Sequence, residues 1–333
     1  MRSLAALGAL GLLALPLAGC GGGGSSLVVY NGQHAQLTQA LVKGFEQQTG
    51  IHVGIRSGDS LVLATQILQE GNASPADVVL AENSPELVTL SQHGLLARLP
   101  KSILRQIPKG ARSPSGNWIG IAFRISSLIY DPRRLARAQL PKSILDLAQP
   151  RWKGKVSISP TDSDFPPLVS AVIAAHGEQA TLAWLRGLKR NAVLYQDEEA
   201  VVSAVNRGDV ASGLVNQYYW YRLRLETGPK GMHSKLYYFP EPDVGSVANV
   251  AGVAVLATSK HRAAAFRFDR FLVGERGQRI LARSDDFEYP ARVGVAANPA
   301  LPPLAEIPHA TANVSDLGNG QDAARLIREA GLV

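Results

Sequence analysis

A single cysteine, Cys20, occurs in 333 residues. The rest of the chain has no thiol, which excludes an internal disulfide, a zinc–thiolate site and a cysteine-held iron–sulfur cluster. No cluster of five or more basic residues appears along the chain. The formal net charge of +7 is instead carried by scattered side chains such as Arg133, Arg134 and Arg137, or Arg186, Lys189 and Arg190. That pattern reads as a solvated basic face and gives no sign of a nucleic-acid partner. Beyond the N-terminal segment there is no second long apolar run and no internal repeat. Gly-x-Ser-x-Gly, His-Glu-x-x-His and a phosphate loop are all missing, so the usual signs of a hydrolase or nucleotide enzyme are absent. What remains is a chain with 46% hydrophobic and 18% charged residues, long enough for two globular domains.

Arg2 precedes an apolar run from Leu4 to Leu15, about the length of a signal-peptide core and short for a bilayer span. The run ends in Leu17-Ala18-Gly19-Cys20, which resembles the bacterial lipobox, where the cysteine is acylated and becomes the mature N-terminus. Acyl chains partition into a bilayer at about 0.8 kcal/mol per buried methylene, so several of them anchor firmly. Residues 1–20 are therefore expected to be a lipoprotein signal peptide, and Gly21 to Ser26 a flexible tether. The mature chain is then extracytoplasmic, held to the cell membrane through Cys20.

From Leu27 the pattern alternates between short β-branched runs and amphipathic stretches. Leu27-Val28-Val29-Tyr30, Ile51 to Ile55 and Asp77 to Ala81 read as strands. Helices follow each of them, closed by Gly50, by Gly71 and near Gly94, with Ser84 as the expected cap before Pro85. A second α/β region begins near residue 125, with strands at 156–159, 193–195 and 210–215. This order predicts an α/β fold in which mostly parallel sheets are flanked by helices. The apolar stretches Trp118 to Tyr130 and Val247 to Ala257 are expected to cross between two lobes. Lobe 1 would comprise 27–124 and 247–300, and lobe 2 would comprise 125–246 and 301–333.

In such sheets ligands bind beyond the carboxyl ends of the strands. His34 follows the first strand, Glu82 ends the third, and Tyr218 and Tyr219 follow the strand at 210–215. One imidazole, one carboxylate and two phenols form a hard, mostly oxygen donor set suited to Fe(III). Each residue also has a plainer reading. His34 can cap a helix or sit on the surface, and Glu82 can favour a helix N-terminus. The aromatic run Tyr218 to Tyr221 can belong to a core.

Several segments carry a wider resemblance: Val29 to His34, Phe45 to Ile51, Pro75 to Val78, Trp152 to Lys155 and Asn216 to Tyr221. They are similar to the ferric-ion-binding proteins of bacterial ABC iron importers, over nearly the whole chain from Leu27. The resemblance implies a two-lobed periplasmic-binding-protein fold of type II, with two crossover strands. It implies Fe(III) as transported cargo on His34, Glu82, Tyr218 and Tyr219, a permease and an ATPase as partners, a monomer, and no enzymatic activity. A solute-binding protein for an organic cation such as a polyamine or thiamine is the alternative, with a surface metalloenzyme behind it.

One region departs from that family. Its members complete the iron shell with phosphate or carbonate held by a small-residue loop and asparagines. Here the loop reads Pro160-Thr161-Asp162-Ser163-Asp164-Phe165, and Glu198 stands where an asparagine is expected, while Asn216 is retained. Carboxylates repel an anion. Either a carboxylate, with Asp162 and Glu198 the first candidates, replaces the anion as a ligand, or these acids pair with arginines such as Arg124.

Overall fold

The computed structural model describes residues 26–240, 243–308 and 314–333; the lipobox, Cys20 and the tether up to residue 25 lie outside them. The first lobe opens with β1 (Leu27–Asn31), α1 (Ala35–Thr49), β2 (Val53–Ser57), α2 (Ser60–Glu70), β3 (Val78–Ala81) and α3 (Ser84–Gln92). A short helix α4 (Lys101–Leu104) leads to the long strand β4 (Ile119–Tyr130). The second lobe carries β5 (Val156–Ile158), α5 (Phe165–Asn191), β6 (Ala192–Leu194), α6 (Glu198–Arg207), β7 (Ser212–Asn216), α7 (Gln217–Thr227) and β8 (Lys235–Tyr237). Then β9 (Ala248–Val255), α8 (Arg262–Leu272), α9 (Glu275–Ala282) and β10 (Tyr289–Pro290) return to the first lobe, and α10 (Gln321–Glu329) packs on α5.

Strand order is β2-β1-β3-β9-β4-β7-β5-β6, with β8 and β10 also on β4. The outer strands pair in parallel, β1 with β2 and β3, and β5 with β6 and β7. The middle is antiparallel: β9 runs against both β3 and β4, and β4 against β7. The twelve-residue β4 serves both halves. Ile119 to Ile125 pair with β9, and Ser126 to Tyr130 pair with β7.

Two large apolar cores lie on either side of this junction. One gathers residues of 27–122 and 250–291, together with Val314, around Phe45, Trp118 and Phe268. The other gathers residues of 128–247 and 317–332 around Trp152, Leu185 and Leu326. A smaller cluster at the seam joins Ile125, Tyr218, Tyr221 and Tyr289.

Local signals account for several element ends. Gly50 and Gly208 adopt left-handed conformations at the ends of α1 and α6, as their missing Cβ permits. Gly177 breaks α5 into two helical pieces, with φ 79° and ψ 165°. The cap of α3 differs from expectation: Asn83 is the capping residue and Ser84 is already helical. Asn83 has extended backbone angles and its side chain is engaged elsewhere, as described below.

Candidate metal centre in the interlobe cleft

His34 occupies the N-cap position of α1, directly beyond the end of β1. The turn is held from within. Asn31 Nδ2 donates to the Gln33 carbonyl at 2.8 Å, and Gln33 Oε1 accepts the His34 amide at 2.7 Å. Gly32 packs against Ser60, whose hydroxyl donates to the Gly32 carbonyl at 3.2 Å and accepts the Glu82 amide at 2.9 Å. One serine thus ties the β1 turn to the end of β3. As a result His34 Nε2 stands 3.4 Å from Glu82 Oε1.

The second lobe supplies the phenols. Gln217 opens α7 and fixes it to the crossover strand: its Oε1 accepts the Ile125 amide at 2.6 Å, and its Nε2 donates to the Phe287 carbonyl at 3.0 Å. Tyr218, fully buried, then donates from its hydroxyl toward Glu82 Oε1 at 3.4 Å and Asp164 Oδ2 at 3.1 Å. Its ring meets His34 edge-on at 5.1 Å and stacks on Tyr219 at 4.1 Å. Tyr221 packs into the seam cluster, so the aromatic run divides between site and core.

Arg124 lies at the centre of this arrangement with no exposed surface. Its Nη1 is 2.6 Å from Glu82 Oε1 and 3.3 Å from Asp164 Oδ1, its Nε is 3.7 Å from Glu288 Oε1, and its guanidinium carbon sits 5.7 Å from the Tyr218 ring centroid. Two acids that the sequence reading did not single out complete the surroundings. Asp286 Oδ1 is 3.1 Å from His34 Nδ1, and Glu288 accepts from Gln33 Nε2 at 3.1 Å. Phe287 between them has φ 52°, a left-handed conformation uncommon for a residue with a side chain.

Charge and burial set the protonation states. Burial opposes a charged His34, but the Asp286 and Glu82 carboxylates outweigh it and raise the imidazole to about 10. Burial also opposes ionised Glu82, yet Arg124 and His34 pull it down to about 2. Burial pushes both phenols upward, and the Asp164 charge adds to this, so Tyr218 and Tyr219 are protonated at neutral pH. Among the described residues, no group of three or more His, Cys, Asp or Glu side chains is arranged to hold a metal ion. Donors about 2.0–2.1 Å from a small octahedral ion lie about 3 Å apart. His34 Nε2 and the Tyr218 hydroxyl, each 3.4 Å from one Glu82 oxygen, approach that spacing.

The carboxylates of the departing loop have distinct places. Asp162 is turned to the backbone, accepting the amides of Asp164 and Glu198 at 3.0 Å each. Burial and the Asp164 charge raise it to about 6. Glu198 Oε2 accepts the Asn216 amide at 2.5 Å, and burial raises its pKa well above the usual range. The Ser163 carbonyl accepts from Asn83 Nδ2 at 3.2 Å across the cleft. Asp164 is the loop carboxylate that reaches both Tyr218 and Arg124. The sequence signal for Asp286 and Glu288 was the acidic run Asp285-Asp286-Phe287-Glu288, far along the chain from every other site residue.

Two α/β lobes joined by antiparallel crossover strands, with polar groups from both meeting in the cleft, make this a type II periplasmic-binding-protein fold. Residues 73–313 match the model for bacterial extracellular solute-binding proteins, and the chain belongs to that family. It is 43% identical over 307 residues to the Fe(3+)-binding periplasmic protein of Serratia marcescens, covering 92% of this chain and 90% of that one. It is 34% identical over 313 residues to the major ferric iron-binding protein of Neisseria meningitidis serogroup B, covering 92% and 93%. Among solved structures, iron-bound HitA from Pseudomonas aeruginosa superposes with a TM-score of 0.88 at 41% identity, covering 92% of this chain and 99% of that one.

Proposed function

We propose that this protein captures Fe(III) in the cleft through His34, Glu82, Tyr218 and Tyr219 and delivers it to an ABC importer's permease and ATPase. The two lobes, 27–124 with 247–300 and 125–246 with 301–333, close on the ion from opposite sides. The observation that carries this reading is the meeting of His34 Nε2 and the Tyr218 hydroxyl, one from each lobe, on Glu82 Oε1. The relatives named above are ferric-iron-binding proteins of the periplasm, which supports the same cargo. Acylation at Cys20 and the tether would hold the receptor, as a monomer, at the outer face of the cell membrane. It binds and releases, and turns over no substrate.

In this reading Asp164 takes the place that an exogenous phosphate or carbonate has in the resembled family. Asp164 lies against Tyr218 and Arg124 and places a carboxyl group there, its pKa raised by burial against the pull of Arg124, while Asp162, Ser163, Glu198 and Asn216 brace its loop. The test is equilibrium dialysis of the apo-protein against ferric nitrilotriacetate, with and without phosphate, and metal analysis of the retained protein. One ferric ion per chain in both conditions, lost in His34→Ala with Glu82→Ala, is expected. A strict phosphate requirement overturns the role of Asp164, and retention unchanged in the double variant overturns the ligand set.

A further inference from the structure

A second charged feature lies outside the cleft. No aspartate or glutamate occurs between Glu86 and Asp131. Within that interval Arg98, Lys101, Arg105, Lys109 and Arg112 are separated by two or three residues and form no run in sequence. The fold brings them together. The chain leaves Leu99, turns through α4, passes a 3-10 turn at Lys109–Ala111, and folds back at Gly116, whose φ of 70° permits the reversal. The Leu99 amide bonds the Gly116 carbonyl at 2.8 Å and closes the loop. All five cationic side chains line one concavity of about 540 Å³, floored by Leu104, Gly110 and Ser113.

Among the described residues, none of these five cations forms an ion pair with a carboxylate. Arg112 is braced by a hydrogen bond from its Nη1 to the Leu104 carbonyl, and Arg98, Lys101, Arg105 and Lys109 are exposed. Gathering five like charges without a counter-ion raises the local potential and is destabilising unless an anion neutralises it. Guanidinium forks and ammonium groups suit the oxygen-rich, multiply charged faces of phosphate groups. The concavity is also separate from the cleft. Arg112 bridges Ile119 at the start of β4, five strand residues, about 17 Å, before Arg124.

We infer that this basin is a binding site for anions bearing two or more phosphate charges, either a free polyphosphate or the phosphate headgroups of a lipid surface. It is independent of iron capture. The basin lies at the end of the sheet where the chain enters β1, since Leu27 and Val78 both begin parallel strands there and Val255, beside the basin loop, pairs with Val78.

The purified full chain, free of iron, would be titrated with inorganic pyrophosphate by calorimetry. It would also be co-sedimented with vesicles of phosphatidylcholine alone or with one-third phosphatidylglycerol. The comparison protein is the triple variant Arg98→Gln, Arg105→Gln, Lys109→Gln, whose sites are exposed and leave Arg112 in place. Saturable, salt-sensitive binding weakened at least tenfold in the triple variant is expected for at least one probe. Pyrophosphate alone identifies a free anion, and phosphatidylglycerol vesicles alone identify a headgroup. Tyr218→Phe should leave either result unchanged. No binding to either probe, or binding that persists equally in the triple variant, overturns the inference.

Discussion

Arg124 Nη1 lies 2.6 Å from Glu82 Oε1, the same oxygen that His34 and Tyr218 approach from opposite lobes. A buried cation therefore shares its anchor with the proposed ligand set. The same guanidinium neutralises Asp164 and approaches Glu288, both fully enclosed. Removing one member of a buried charge cluster leaves the others uncompensated, at a cost of about 3–5 kcal/mol. Arg124→Met should lower the urea midpoint by a corresponding amount at pH 7. An unchanged midpoint would show that the acids accept protons without penalty.

Iron uptake should release protons. In the apo-protein His34, raised to about 10, and the phenols of Tyr218 and Tyr219 all carry a proton at pH 7, whereas Glu82, held at about 2, does not. A metal must displace the proton from each nitrogen or oxygen it binds, so about three protons should leave per ferric ion, one from His34 and one from each tyrosine. Affinity then falls as pH falls, because protons compete at every one of these groups. A pH-stat titration in unbuffered solution counts them. Release of one proton or none would remove the phenols from the metal shell.

Gly32 sets the approach of the β1 turn to β3. A Cβ there would lie 2.1 Å from Ser60 Oγ and 2.8 Å from Ser60 Cα. Ser60 also holds the Glu82 amide, so the clash would separate His34 from Glu82. Gly32→Ala should destabilise the fold by about 1–3 kcal/mol and weaken iron retention at least tenfold. Denaturant titration and dialysis measure the two effects; full iron affinity in this variant would show that the turn does not position His34.

The turn at Gly32 also marks what could be read from the sequence alone. His34, Glu82, Tyr218 and Tyr219 follow strands that local pattern reveals, and Gly50 ends its helix as expected from local chemistry. The parallel strands were legible for the same reason. From sequence Arg124 is only a possible partner for loop acids, because its position in the long apolar β4 gives no hint that Glu82, Asp164 and Glu288 surround it. Asp286 and Glu288 come from a segment about 250 residues after His34, a pairing that only tertiary structure makes. The choice of Asp164 over Asp162 beside Tyr218 depends on which carboxylate the loop turns to its own amides, and residue type does not encode that.

Glu86, on the first turn of α3, has an oxygen shielded from water and without a partner. Burial, with smaller contributions from Glu82 and Asp59, raises it from 4.5 to about 8. Between those values the unfolded chain has lost the proton that the folded chain keeps, so stability present below pH 4.5 is lost as pH rises toward 8. Glu86→Gln keeps the neutral form at all pH. It should match the parent at pH 4.5 and exceed it by about 1–3 kcal/mol at pH 8.5. Thermal unfolding at the two pH values tests this, and an equal difference at both would assign the effect to packing.

The decisive observation is optical. A phenolate bound to Fe(III) gives an intense visible charge-transfer band that neither free ferric ion nor free tyrosine shows. Ferric nitrilotriacetate added to the apo-protein should produce this band, saturating at one equivalent. Tyr218→Phe and Tyr219→Phe should each diminish and shift it, and the double variant should abolish it. A stoichiometric band that survives in the double variant, or no band at any iron concentration, would contradict iron capture by these tyrosines.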